Sequence, residues 1–219
     1  MVPRWYPAVR RLSVMHIDSE KTKRRYDRLA PYFDVLEGFL EGLFFKQWRK
    51  TLWDKVIGDH VLEVGVGTGK NFPYYPDNTQ VTALDFSEKM LERAKKKQEG
   101  KNISVNLELM DIQSLYYADN SFDTVIATFV FCSVPQPIKG LQELYRVCKP
   151  GGQVLLLEHV LSSNPITAKM MRLMNPLIAS VFGANINRQT VKNVQACGFE
   201  KVLLDPASSD MVKLIQAIK

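Results

Sequence analysis

From residue 60 onward the chain repeats one local pattern, a short apolar run followed by a stretch of helical character. His60-Val61-Leu62-Glu63-Val64-Gly65 reads as a first buried strand and Val81-Thr82-Ala83-Leu84-Asp85 as a second. Residues 105–110, 122–128 and 153–159 supply three more. Ser87 is a good N-cap for the helix after the second strand, and residues 138–148 form a helix ending at Lys149-Pro150-Gly151-Gly152. Strands that are apolar nearly throughout cannot leave a face in water. The alternation therefore predicts an α/β fold, a mostly parallel sheet covered by helices on both faces. Residues 199–204 and 211–218 close the chain with no comparable helix between them, as an antiparallel hairpin on the sheet edge would.

Two apolar helical segments fall outside this pattern. Residues 35–53 place Leu36, Phe39, Leu40, Leu43, Phe44, Trp48 and Leu52 near helical spacing. Residues 166–182 are dominated by Met170, Met171, Leu173, Met174, Leu177, Ile178 and Val181, with Lys169 and Arg172 as the charges; Pro176 is expected to kink or break that helix. The chain thus divides into an N-terminal basic, amphipathic helical segment over 1–55 and an α/β domain over 56–219, with an apolar insertion over 165–183. The net charge of +6 is concentrated in the first part, where residues 1–55 hold 12 Lys/Arg against 7 Asp/Glu and residues 56–219 hold 17 against 16. A basic segment suits an anionic membrane surface or nucleic acid, or is a solvated face. No run approaches the roughly 18 apolar residues of a membrane span, and the start does not read as a secretory signal. Three scattered cysteines make neither a disulfide framework nor a zinc site, so no metal is expected. A cytoplasmic protein, peripheral on the inner membrane face if it meets lipid, is the plain reading.

After the first strand comes Gly65-Val66-Gly67-Thr68-Gly69, a run that lets the backbone turn tightly and approach a ligand. Asp85, ending the next strand, is placed to accept the ribose hydroxyls of an adenosine cofactor. A dinucleotide fingerprint puts its third glycine three residues after the second, opening a helix that faces a pyrophosphate. Here Lys70 holds that place, and Asn71-Phe72-Pro73-Tyr74-Tyr75-Pro76 is a poor phosphate-binding helix. S-adenosylmethionine carries no phosphate and needs no such helix. Asp111 can accept from an adenine amine while Ile112 packs on the ring.

Glu63 to Gly69, Asp85, Asp111-Ile112, Asp119-x-Ser121-Phe122-Asp123 and Arg146-Val147-Cys148-Lys149-Pro150-Gly151-Gly152 resemble, in order, the motif series of class I S-adenosylmethionine-dependent methyltransferases. The resemblance implies a Rossmann-like seven-stranded sheet in the order 3-2-1-4-5-7-6, its seventh strand antiparallel. It implies that Glu63 orients the glycine loop and that Gly65, Gly67 and Gly69 lie along the methionine and ribose. Phe86 and Met90 would flank the adenine, Thr128 and Phe129 would meet the amino-acid end, and S-adenosylhomocysteine would be the product. Tyr26 and Tyr32 lie in a stretch similar to the lid entry of quinone-ring C-methyltransferases and bacterial phosphatidylethanolamine N-methyltransferases. Phe131-Cys132-Ser133-Val134 and Glu158-His159-Val160 also resemble membrane-associated thiol methyltransferases.

The acceptor enters over the carboxyl ends of the strands. His159 is the general-base candidate, its ordinary pKa lying near neutrality, with a hydrogen bond to a neighbouring loop as the plainer alternative. Cys132 reads as packing rather than as a nucleophile. The Met-rich insertion stands where such enzymes often add a substrate lid, and with the basic, Trp- and Tyr-bearing start it favours a lipid or amphipathic acceptor over nucleic acid. A phosphatidylethanolamine amine is the favoured acceptor, ahead of a quinone-precursor ring carbon and a small thiol. A nicotinamide-dependent oxidoreductase and a non-catalytic membrane-binding module are the rivals from other classes.

Overall fold

The computed structural model describes residues 19–30, 45–101 and 103–219. Tyr32, most of the expected helix over 35–53, and the Arg4-Trp5-Tyr6 start lie outside them. Helix α1 covers 19–30, and α2 (Lys46–Trp53) leads into β1 (His60–Val64). A single 3₁₀ turn, Phe72–Tyr74, separates β1 from β2 (Gln80–Asp85), so the proline-bearing stretch makes no full helix. Then come α3 (Glu88–Lys101), β3 (Asn106–Leu109), β4 (Phe122–Thr128), α4 (Pro137–Val147) and β5 (Cys148–His159). The chain closes with α5 (Pro165–Phe182), α6 (Thr190–Gln195), β6 (Lys201–Leu204) and β7 (Val212–Ile218).

Seven strands pair in the order β3-β2-β1-β4-β5-β7-β6. The pairings are parallel except that β7 runs antiparallel to both β5 and β6. Alternation along each strand sends one set of side chains to each face. Leu62, Val64, Val125, Ala127, Val154 and Leu156 meet Leu141, Leu144 and Val147 of α4 and Val194 of α6. On the other face Val61, Val81, Ile126, Leu155 and Leu157 meet Leu52 and Trp53 of α2, while Ala83 packs with Ala94 of α3.

Three local expectations change. The stretch after α4 is strand, not loop: Cys148 pairs with Phe122, Gln153 pairs with Thr124, and residues 149–152 bulge out between them. A side chain at Gly152 would come 2.7 Å from the Asp123 carbonyl, so glycine is needed for the approach. Pro176 neither breaks nor ends α5, which runs unbroken from an Asn164 N-cap to Gly183 in the left-handed conformation (φ +74°). Pro176 and Arg172 are both exposed, so the carbonyl that proline cannot satisfy is open to water. The short helix α6 was not anticipated by periodicity; six residues are less than two turns.

Candidate active site

A cleft of about 370 Å³ opens over the carboxyl ends of the central strands. It is lined by Glu63, Gly65, Gly67, Asp85, Phe86, Met90, Asp111, Ile112, Thr128, Phe129, His159 and Tyr26, so the fold gathers these sequence-predicted residues around one space. Gly69 is the exception. It lines no part of the cleft; at φ +75°, a side chain there would lie 2.5 Å from the Phe72 ring, so this glycine serves loop packing. Gly65 lets the loop approach Val130 in the same way, 2.4 Å from a would-be side chain. Gly67, at φ +56°, faces open space and is the glycine whose missing side chain leaves room for a ligand.

Asp85 sits under that glycine. One carboxylate oxygen accepts the Gly67 N–H at 2.9 Å and the other accepts the Ser87 N–H at 2.9 Å, which couples β2 to the glycine turn. Burial pushes this carboxyl up to about 6, although the backbone donors pull it down. Ser87 caps α3, its hydroxyl accepting the Met90 N–H and donating to Asp27 of α1. Asp111 accepts from both the backbone and side-chain N–H of Gln113, and Ser19 of α1 donates to its second oxygen at 3.2 Å. The Gln113 side-chain oxygen in turn accepts the Gln136 N–H.

Glu63 carries a buried network that sequence reasoning did not foresee beyond the glutamate itself. Asn71 donates to Glu63 at 2.7 Å and to the Thr128 hydroxyl at 3.0 Å, Tyr75 donates to the other Glu63 oxygen, and Arg49 of α2 donates to Asn71 at 2.9 Å. Burial raises the Glu63 carboxyl, opposed by the Tyr75 and Asn71 bonds and the Arg49 charge. The network ties the helix from the N-terminal segment to β1 and β4. No local motif announces it, because Arg49 and Glu63 come together only across the sheet face.

The cleft is aromatic around Phe129 and His159. Phe129 follows β4 in the left-handed region (φ 57°), a strained place for a bulky residue and the kind of outlier that clusters at functional sites. Its ring stacks on His159 at 4.6 Å, Phe45 packs on both, and the Arg49 guanidinium lies 5.6 Å above it. The His159 ring donates to the Met211 carbonyl, and burial lowers its pKa, so the imidazole stays neutral near pH 7 with one nitrogen holding a lone pair. Neighbouring Glu158 turns the other way and accepts the Val130 and Phe131 N–H groups, fixing the turn after β4; burial pushes it up to about 8. Cys132 is buried and pushed up to about 12, which suits packing and not nucleophilic attack. Tyr26 bonds the Ser133 hydroxyl and packs edge-on against Phe86 at 5.7 Å, so α1 closes over the cleft. None of residues 165–181 lines the cleft, contrary to the expectation of a substrate lid there; Ala184, just beyond α5, does.

A family model described as a methyltransferase domain matches residues 62–156, from β1 through most of β5. A demethylmenaquinone methyltransferase of Lactobacillus johnsonii is 33% identical over 174 residues, 74% of this chain and 71% of that protein. The chain belongs to the S-adenosylmethionine-dependent methyltransferase family. A phosphatidylethanolamine N-methyltransferase of Cereibacter sphaeroides is 44% identical over 104 residues, 47% of this chain; the chain spans about half of that relative, 51% of its length. A solved S-adenosylmethionine-dependent methyltransferase from Thermotoga maritima superposes with a TM-score of 0.69 at 18% identity, covering 90% of this chain and 99% of that one, a likeness of fold alone.

The cleft fits the cofactor of this family. Gly67 leaves an open cradle, and Asp85 offers carboxylate oxygens that each hold one backbone donor and retain a lone pair for a ribose hydroxyl. Buried Met90 and Ile112 line the cleft beside Asp111, apolar walls of the kind an adenine would need. Among the described residues, no cluster of His, Cys, Asp or Glu could hold a metal ion.

Proposed function

We propose that the chain methylates the amine of an amphipathic lipid, with phosphatidylethanolamine as the acceptor. The observation that carries this reading is the cleft's own division. Its cofactor side is built from the glycine turn and two carboxylates, while its other side is aromatic and apolar around one neutral imidazole. The 44% identity to a protein named phosphatidylethanolamine N-methyltransferase supports the amine over the other acceptors. S-adenosylmethionine, when bound, supplies a methyl group already activated on a sulfonium. Glu63, Gly65, Gly67, Asp85, Asp111 and Thr128 would hold it, Phe86, Met90 and Ile112 would enclose the adenine, and Phe129 would border the amino-acid end.

The chain's own task is to align the acceptor and remove a proton. An ethanolamine headgroup arrives as an ammonium and attacks carbon only after losing its proton. His159 takes that proton on the ring nitrogen that does not serve Met211. Tyr26, tied to Ser133, excludes water from above. His159→Ala is expected to leave cofactor affinity unchanged and slow turnover by about 100-fold or more; full activity would remove it as the base. The deciding experiment incubates the protein with methyl-labelled S-adenosylmethionine and a total lipid and metabolite extract. Label in N-methylated phosphatidylethanolamine is expected. Label confined to a quinone-precursor ring, the reading favoured by the longer alignment with the demethylmenaquinone enzyme, or to a small thiol, would overturn it.

A further inference from the structure

Helix α5 presents an apolar face to solvent. Ile166, Met170, Leu173, Met174, Leu177 and Val181 are 73%, 58%, 81%, 48%, 65% and 53% exposed. At about 100° per residue these six fall within one stripe about 100° wide and about 22 Å long. The opposite side of the helix, with buried Ala168 and half-buried Met171, Asn175 and Ala179, lies against the body. Six large apolar side chains in one row expose several hundred Å², far from the scattered single residues of an ordinary surface.

Charge says what covers it. The helix holds no acidic residue, and its two charges are Lys169 and Arg172. Both are exposed and neither pairs with a carboxylate among the described residues; Lys169 lies about 40° beyond one edge of the stripe, with Arg172 further round the helix. A cationic flank beside an apolar stripe is the pattern of a helix lying in the interface of an anionic bilayer, where long basic side chains reach the headgroups. Position fits too. Gly183 ends the helix against Arg25 and Tyr26 of α1, Ala184 lines the cleft, and Asn185 donates through its backbone and side chain to the Cys132 carbonyl. The stripe is thus fastened to the wall of the acceptor cleft.

We infer that α5 is a membrane-docking helix, its apolar stripe seated in an anionic bilayer beside the mouth of the cleft, so that an acceptor enters from the lipid. The docking rests on α5 alone and is separable from which atom is methylated. Co-sedimentation with phosphatidylcholine vesicles containing phosphatidylglycerol tests it. Wild-type protein is expected to bind, and Leu173→Glu with Leu177→Glu to bind at least 10-fold more weakly while S-adenosylmethionine affinity stays unchanged. Lys169→Glu should weaken binding about 5-fold or more, only when phosphatidylglycerol is present. Leu173→Cys carrying an environment-sensitive dye checks the same point without a charge in the stripe; its emission should shift to the blue on adding vesicles. Unchanged binding of the double glutamate variant overturns the inference. So does slow labelling of that cysteine without vesicles, which would mean that another part of the chain, or a second copy seen by sedimentation velocity, already covers the face. Vesicle binding by wild type with no label in any lipid would instead sink the proposed acceptor and leave the docking intact.

Discussion

Helix α4 turns Leu141, Leu144 and Val147 into the sheet with no residual exposure, whereas α5 leaves Leu173 and Leu177 largely in solvent. Both helices carry apolar residues at three- and four-residue spacing, and both are anchored near the cleft. Gly140 of α4 brings the backbone close to Phe131 and Ile112, while the end of α5 passes into Ala184. The difference is what each stripe meets. Helix α4 joins two parallel strands and is laid across the sheet by that connection, so its stripe must be core. Helix α5 leaves β5 at the edge of the cleft, and the chain returns through α6 and an antiparallel edge, so no strand surface lies beneath its stripe. A periodic apolar face therefore shows that a helix needs a partner without saying whether the partner is the protein's own sheet.

The largest effect that would sharpen this contrast is on stability. Leu144→Ala should cost about 2–5 kcal/mol, read as a lower midpoint in urea, because it opens a cavity in a closed core; a loss below about 1 kcal/mol would show that α4 is less tightly built than its burial indicates. Next is the cofactor wall at the end of β2. Asp85→Ala should weaken S-adenosylmethionine binding by about 1.5–3 kcal/mol by calorimetry, since ribose hydroxyls lose a charged acceptor. Unchanged affinity would remove Asp85 from the ribose site.

A pH series on the same group gives a smaller, graded effect. The Asp85 carboxyl is raised to about 6 in the folded protein. Its protonation on acidification therefore favours the folded state, and this contribution to stability grows as pH falls from above 6 toward the unfolded value near 4. If Asp85 holds the ribose, cofactor affinity should run the opposite way, falling by up to about tenfold per pH unit below 6, because the charged form would accept the ribose hydroxyls. Asp85→Asn should flatten that profile; a profile unchanged in the variant would assign the titration elsewhere. The smallest effect belongs to α5: Leu173→Ala should shift the urea midpoint by no more than about 0.5 kcal/mol, since an exposed side chain contributes little to the core. A loss above 2 kcal/mol would mean that the stripe is packed and would break the comparison.

Much of the cofactor side was legible because its signals are local. Asp85 ends β2, Gly67 stands in the turn after β1, and a strand-to-turn junction forces both toward one end of the sheet. Gly69 shows the limit of such reading, since a glycine that packs on Phe72 and one that faces a ligand look alike in a motif. Cys148 to Gly152 show another: Pro and Gly read as a loop, but pairing with β4 across a bulge overrides local preference. The Arg49–Asn71–Glu63–Tyr75 network, the stacking of His159 on Phe129 and the Tyr26–Ser133 bond join residues far apart in the chain, which no spacing rule can pair.

By itself the sequence determined the layered α/β architecture and the kind of cofactor, because strand periodicity, a glycine turn and a carboxylate at a strand end act over a few residues. Tertiary structure alone decided which side chains meet across the cleft, that His159 is half-buried with its pKa lowered, and that α5 shows its apolar stripe to the outside. Those outcomes depend on which surface lies opposite each residue after the chain has closed, and burial, charge pairing and exposure are properties of that encounter, not of the residue.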